Sequence, residues 1–305
     1  MNMSPEEILS EIRKLKKERN AVIVAHTYQQ AEIQELADKT GDSYALSKFV
    51  SNVEEDVIVF CGVKFMAESA KILSPEKTVL LPVLEAGCPM ANMVTGEDVK
   101  LLKKKHPDAT AVCYINSTAE VKANCDVCVT SSNALKVVSS LKEKDIIFVP
   151  DKNLGSYIAK QLPDKNIILW DGYCIVHEKL TKDDIIKWKK LKPNAKVFAH
   201  PECNEEVLTE ADFIGSTKAI IDHVVETEEE SYIIATEKGV AHPIKKLKPG
   251  VDIVFPSSCL LCVNMKKTHP INVYEALEEM KYEIELDEQI INKARKSLER
   301  MLELS

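Results

Sequence analysis

The same order of elements is written three times along the 305-residue chain, and this repetition limits the fold more than any other feature. Each copy opens with a helix. Ser4-Pro5-Glu6-Glu7-Ile8 offers an N-cap, a proline in the first turn and a glutamate at the capping-box position, and Gly96-Glu97-Asp98-Val99 and Lys182-Asp183-Asp184-Ile185 stand in the matching places. Each helix runs into a basic end and then a short run, Ala21 to Ala25, Ala111 to Ile115 or Lys196 to Ala199, that reads as a buried parallel strand. A polar tip follows each strand: His26-Thr27-Tyr28, Asn116-Ser117-Thr118 and His200-Pro201-Glu202. Downstream lie Ala37-Asp38, Cys125-Asp126 and Ala211-Asp212, each ahead of a hydroxyl-rich cluster and another helical stretch. Two more strands complete each copy: Val57 to Phe60, Ile146 to Val149 and Tyr232 to Ala235, then VLLPV, IILW and DIVF. Shortly beyond stand Cys88, Cys174 and either Cys259 or Cys262; the steps from Cys88 to Cys174 to Cys262 are 86 and 88 residues.

Alternating helices and strands imply parallel sheets covered on both faces and joined by right-handed crossovers. The expected fold is α/β: three homologous three-layer αβα domains about a pseudo-threefold axis, spanning residues 1–88, 89–174 and 175–262, with 263–305 as a C-terminal segment and helix packing back on the first copy. Ligands of such sheets lie beyond the carboxyl ends of the strands, which is where all the polar tips and cysteine loops fall. Packed about one axis, the copies would bring three tips and three cysteines to a central cavity.

Composition narrows the chemistry. A net charge of -8 and a pI near 5.5 argue against a nucleic-acid or anionic-membrane surface. No window is long and apolar enough to span a bilayer, and the charged amphipathic start lacks a signal-peptide core, so a cytoplasmic protein is expected. In that reducing compartment nine cysteines point to metal or catalytic use rather than disulfides. Three thiolates around a cavity can hold zinc with a water, or a 4Fe-4S cluster with one iron left open as a Lewis acid, which suits dehydration chemistry. Cys125 and Cys128 are expected on a short strand, facing opposite ways and packed in the core. Cys259-Leu-Leu-Cys262 occupies the third cysteine position, so one member is the ligand and the other a neighbour or redox partner.

The clusters Asp42-Ser43, Thr130-Ser131-Ser132 and Gly215-Ser216-Thr217 read as helix N-caps. Three helix N-termini aimed at one cavity favour a small polyanion, a phosphate or dicarboxylate, even in an acidic protein. His26, Tyr28, His200 and Glu202 are then candidates for proton transfer. His106, His223, His242 and His269 are read as surface or packing residues.

Across essentially the whole chain these residues resemble the quinolinate synthase (quinolinate synthetase A) family. The likeness is carried by Ala25-His26-Thr27-Tyr28-Gln29, Gly41-Asp42-Ser43, Phe65-Met66-Ala67-Glu68, Cys88-Pro89-Met90-Ala91-Asn92, Tyr114-Ile115-Asn116-Ser117-Thr118, Asp151 with Asn153-Leu154, His200-Pro201-Glu202-Cys203 and Cys262-Val263-Asn264-Met265-Lys266. It implies an oxygen-sensitive enzyme of NAD biosynthesis that condenses iminoaspartate with dihydroxyacetone phosphate, losing phosphate and two waters, with an upstream enzyme supplying iminoaspartate. By the same resemblance Cys88, Cys174 and Cys262 carry one 4Fe-4S cluster with an open iron. His26, Ser43, Tyr114, Asn116, Ser131, Ser216 and Thr217 bind carboxylate or phosphate groups, and Tyr28, His200 and Glu202 assist isomerisation, cyclisation and dehydration. Thr27 stands where the family usually has Asn, and Tyr173 where many members have His. A zinc-dependent lyase or hydrolase on the same three cysteines is the alternative reading.

Overall fold

The computed structural model describes residues 3–305. The first copy runs α1 (Pro5–Glu18), β1 (Ala21–His26), α2 (Ala31–Leu36), β2 (Lys39–Gly41), α3 (Ser43–Val50), β3 (Val57–Cys61), α4 (Lys64–Leu73) and β4 (Thr78–Leu80). The second runs α5 (Gly96–Lys105), β5 (Thr110–Tyr114), α6 (Ala119–Asn124), β6 (Val127–Val129), α7 (Ala134–Ser140), β7 (Asp145–Val149), α8 (Lys152–Gln161) and β8 (Asn166–Leu169). The third runs α9 (Lys182–Leu191), β9 (Lys196–Ala199), α10 (Glu205–Leu208), β10 (Phe213–Ile214), α11 (Thr217–Glu226), β11 (Ser231–Ala235), α12 (Ala241–Leu247) and β12 (Asp252–Val254). The tail adds α13 (Pro270–Glu279) and α14 (Glu288–Leu304). The three sheets are four-stranded and parallel, in the orders β2-β1-β3-β4, β6-β5-β7-β8 and β10-β9-β11-β12, so the α/β expectation of three like sheets holds.

The repetition extends to single hydrogen bonds. Ser4 with Glu7, Thr95 with Asp98 and Thr181 with Asp184 form the reciprocal caps that open α1, α5 and α9. Asp38, Asp126 and Asp212 each donate a backbone N–H at 2.8 Å to the carbonyl of Ile23, Ala111 or Val197. The carboxylate of each aspartate accepts the N–H of that same strand residue at 2.8–2.9 Å. This two-way bond turns the chain into the outer strand of each sheet. Those outer strands, β2, β6 and β10, are two or three residues long, too short for an alternating pattern to register. The sequence therefore suggests only the second of them.

The central strands β1, β5, β7 and β9 are buried nearly throughout, which explains their unbroken apolar runs. The tail departs from expectation. Its α13 lies on α1, but α14 lies mainly against α6 and β6 of the second copy and reaches back to α4 of the first. Ser297 donates to the carbonyl of Lys122 at 3.0 Å, Arg295 donates to that of Ile72 at 3.1 Å, and Leu298 and Met301 are fully buried. A helix read from its own apolar stripe reveals which face is buried but not which neighbour covers it.

Leu298→Ala should therefore destabilise both the first and second copies, by about 2–5 kcal/mol for a buried leucine. Urea unfolding followed by circular dichroism would measure the loss. Hydrogen exchange should show faster exchange in α4 as well as α6.

Candidate active site

A cavity of about 180 Å³ lies where the carboxyl ends of the three sheets face one another. The first copy supplies His26 and Tyr28 from the end of β1, and Ser43 as the first residue of α3. The second supplies Tyr114 and Asn116 from the end of β5, and Ser131 ahead of α7. From the third come His200 and Glu202, just after β9, and Thr217, the first residue of α11. Ser216 is not on the wall; its hydroxyl caps α11 by accepting the N–H of Ala219. Asp42 caps α3 as expected, whereas α7 is preceded by Asn133, whose side chain turns back to accept from Thr130 instead.

Of the nine cysteines, Cys88, Cys174, Cys259 and Cys262 keep some open surface, and all four line this cavity. The other five are buried. One backbone bond fixes the register of the cysteine loops. Lys64, Lys152 and Lys238, each just past a central strand, donate N–H groups at 2.8, 2.8 and 3.0 Å to the carbonyls of Ala86, Gly172 and Leu260. Those carbonyls lie two residues before Cys88, Cys174 and Cys262, so Cys262, not Cys259, is the structural counterpart of the other two. Burial pushes the Cys88 thiol up to about 12, and also raises those of Cys174 and Cys262. Without a metal all three are neutral thiols, and binding one would release their protons.

The polar side of the cavity is a continuous chain of hydrogen bonds. Thr217 donates to the Tyr28 hydroxyl at 2.8 Å, and that hydroxyl lies 2.9 Å from Thr236 Oγ1. Thr236 Oγ1 is 3.0 Å from His177 Nε2, and His177 Nδ1 is 2.8 Å from Glu202 Oε2 and 3.2 Å from Cys174 Sγ. His200 stacks on His177 at 4.9 Å and meets Ser131 Oγ through Nε2 at 3.1 Å. Burial opposes a charge on Glu202, but the His200 and His177 rings, with hydrogen bonds from His177 and Tyr114, hold its carboxyl down at about 2. Burial holds the His26 and His200 rings neutral, each at about 3, the nearby Glu202 charge pulling the other way. The amide Oδ1 of Asn116 is buried without a partner among the described residues, an acceptor that a ligand's donor would satisfy.

His177 and Thr236 are absent from the sequence reading. Aligning the copies hides His177, because the residues three past Cys88 and Cys262 are Ala91 and Met265. The spacing Cys174-Ile-Val-His177 is itself of metal-ligand type and could have flagged it. Cys174, His177 and Glu202 present ligand atoms within 4.8 Å of one another, and this mixed set can hold a metal ion. The contact between His177 and Glu202, however, occupies those two donors with each other. Cys125 and Cys128 correct a second reading. Both are buried, but Cys125 lies at the end of α6 rather than on a strand, and both thiols approach Cys113. Alternation along a strand therefore does not separate them.

The family model described as Quinolinate synthetase A protein matches residues 10–303. A quinolinate synthase of Caldicellulosiruptor bescii is 55% identical over 302 residues, covering 99% of this chain and 100% of its own length. That of Clostridioides difficile is 52% identical over 295 residues, 97% of each chain. That of Caldicellulosiruptor saccharolyticus is 53% identical over 303 residues, 99% of this chain and 100% of its own.

The neutral, buried rings of His26 and His200 carry a pH signature. In the unfolded chain they take protons below about 6.5; in the folded chain they stay neutral down to about 3. The unfolded state thus binds more protons in this window, and stability, complete above pH 6.5, declines as pH falls toward 3. Each ring contributes up to ~1.4 kcal/mol per pH unit. Urea midpoints of the metal-free protein across this range should show the decline, and His26→Asn and His200→Asn should each flatten it. An unchanged slope in both variants would contradict the burial argument.

Proposed function

The chain belongs to the quinolinate synthetase A family and makes quinolinate for NAD biosynthesis; we propose that it does so by condensing iminoaspartate with dihydroxyacetone phosphate, losing phosphate and two waters. The cysteine-rich wall of the cavity fits a metal cluster. We propose one 4Fe-4S cluster on Cys88, Cys174 and Cys262, whose open iron supplies a Lewis acid for a substrate hydroxyl or carboxylate. The observation that carries this reading is the convergence of one cysteine loop from each copy, in a shared backbone register, on the cavity that also holds Glu202 and Tyr28.

Each residue's part follows from its surroundings. The starts of α3 and α11, at Ser43 and Thr217, offer backbone N–H donors, the Ser43 hydroxyl and the positive ends of two helices to carboxylate or phosphate groups. His26, Tyr114, Asn116 and Ser131 orient the rest of the substrate, with Asn116 Oδ1 open to a hydroxyl or imine N–H. Ser216 supports this set by capping α11. Glu202, held ionised, is the general base. The line Glu202, His177, Thr236 and Tyr28 lets a proton taken at the carboxylate be matched by one offered at the phenol. His200 remains neutral and can accept or donate through Nε2, alongside Ser131.

The copies are proposed to divide at 1–88, 89–174 and 175–262, followed by the tail. Among the described residues no helix is long and apolar enough to cross a membrane, and a cytoplasmic site of action, near an enzyme that forms iminoaspartate, fits the reading. The alternative occupant of this wall is zinc on the same three cysteines, as in a zinc-dependent lyase or hydrolase.

Anaerobic reconstitution with iron and sulfide, followed by metal analysis, visible absorption and assay with freshly generated iminoaspartate, separates the two. Cys88→Ala, Cys174→Ala and Cys262→Ala should each abolish colour and product, while Cys259→Ala retains both. Colourless, active zinc protein would establish the second reading instead. Glu202→Gln should keep the cluster and lower kcat about 10²- to 10⁴-fold, the usual contribution of a general base. Normal turnover would remove that role.

A further inference from the structure

The shared register also reveals where the three copies differ. The residues just before Lys64, Lys152 and Lys238 are Val63, Asp151 and Glu237, and in the second and third copies this residue grips the cysteine loop. Asp151 is fully buried; one carboxylate oxygen accepts the N–H of Leu154 at 2.7 Å, capping α8, and the other accepts the N–H of Cys174 at 3.2 Å. Glu237 is also fully buried and repeats the pattern, accepting the N–H of Gly239 at 2.6 Å and that of Cys262 at 3.1 Å. Lys266 pairs with this carboxylate at 3.0 Å and also donates to the carbonyl of Tyr28, tying the Cys262 loop to the first copy. The Val63 side chain has no acceptor to offer. Among the described residues the N–H of Cys88 has no acceptor, and a Cβ added at the preceding Gly87 would meet nothing within 4 Å.

A buried carboxylate is retained only where its hydrogen bonds offset desolvation. Both are spent here on the same two tasks: starting the helix after the central strand, and fixing the amide of the cysteine across from it. Resting on the reading of Cys88, Cys174 and Cys262 as cluster ligands, we propose that Asp151 and Glu237 are positioning residues that lock two corners of the cluster, and that the unlocked Cys88 is the ligand released first when iron is withdrawn. Exposure alone predicts no order, because Cys88, Cys174 and Cys262 are all partly exposed. Loss of such an outer partner lowers metal affinity by about 10- to 100-fold.

The test is partial stripping of the reconstituted protein with a ferrous chelator, alkylation of the thiols released, and mass spectrometry of each cysteine, with Cys259 as the thiol labelled before stripping. In the unaltered chain Cys88 should be labelled first. Asp151→Ala should bring Cys174 forward about tenfold, and Glu237→Ala should do the same for Cys262. Glu237→Gln, which keeps one acceptor, should fall between. Val63→Ala should leave the order as it was. Labelling of Cys262 ahead of Cys88 in the unaltered chain, or an order indifferent to both carboxylate variants, would overturn the proposal. If Asp151→Ala does not fold, Asp151→Asn takes its place, and the Glu237 arm and the unaltered order decide the matter alone. Failure of the unaltered chain to take up iron would refute the cluster reading itself, an outcome distinct from an unchanged order.

Discussion

A backbone hydrogen bond made three times sets the geometry on which the site depends. The N–H groups of Lys64, Lys152 and Lys238 hold the carbonyls two residues before Cys88, Cys174 and Cys262. Each bond joins the turn after a central strand to the loop after the sheet's last strand, so every cysteine stands at the same height above its own sheet. Side chains come and go between the copies, but this contact needs no side chain and survives their divergence. Helix caps and the two-way aspartate bonds act in the same manner, fixing local geometry without long-range packing.

On that frame each copy contributes a different chemistry. The third gives Glu202, His200, Thr236 and Thr217, the first His26 and Tyr28, and the second Asn116, Ser131 and His177's neighbour Cys174. The proton path from Glu202 to Tyr28 crosses between copies, so it exists only when they are packed together. Burial then divides the titratable groups. Glu202, with its hydrogen-bonding partners, stays charged, while burial keeps the His26 and His200 imidazoles neutral against the pull of that charge. Near neutral pH the site therefore holds a charged carboxylate beside uncharged rings, and the Tyr28 and Tyr114 phenols, held protonated by burial, still carry an O–H.

Much of this was legible along the chain because repetition amplifies weak signals. A single short β-branched run is ambiguous, but three at matching places with matching tips are not, and Cys88, Cys174, His26, Tyr28, His200 and Glu202 all follow from them. The same comparison concealed what is not repeated. His177 and Thr236 have no counterpart in kind, and Asp151 and Glu237 are matched by Val63. Ser216 sits among hydroxyls suited either to capping or to binding, and its acceptance of the Ala219 N–H shows that it caps α11.

What the sequence determined by itself was periodic: helix starts from caps, central strands from apolar runs, the α/β class from their alternation, and the cysteine spacing from the repeat. These depend on residues near one another in the chain, where propensity and hydrogen-bonding geometry act directly. The tertiary structure alone decided that α14 lies between the first and second copies, that Cys125 and Cys128 approach Cys113, that Cys262 rather than Cys259 shares the register, and that His177 bridges Glu202 to Thr236. Each of these is a contact between segments whose meeting is set by the packing of whole sheets, and no local pattern encodes which of several polar side chains will be carried into reach of another.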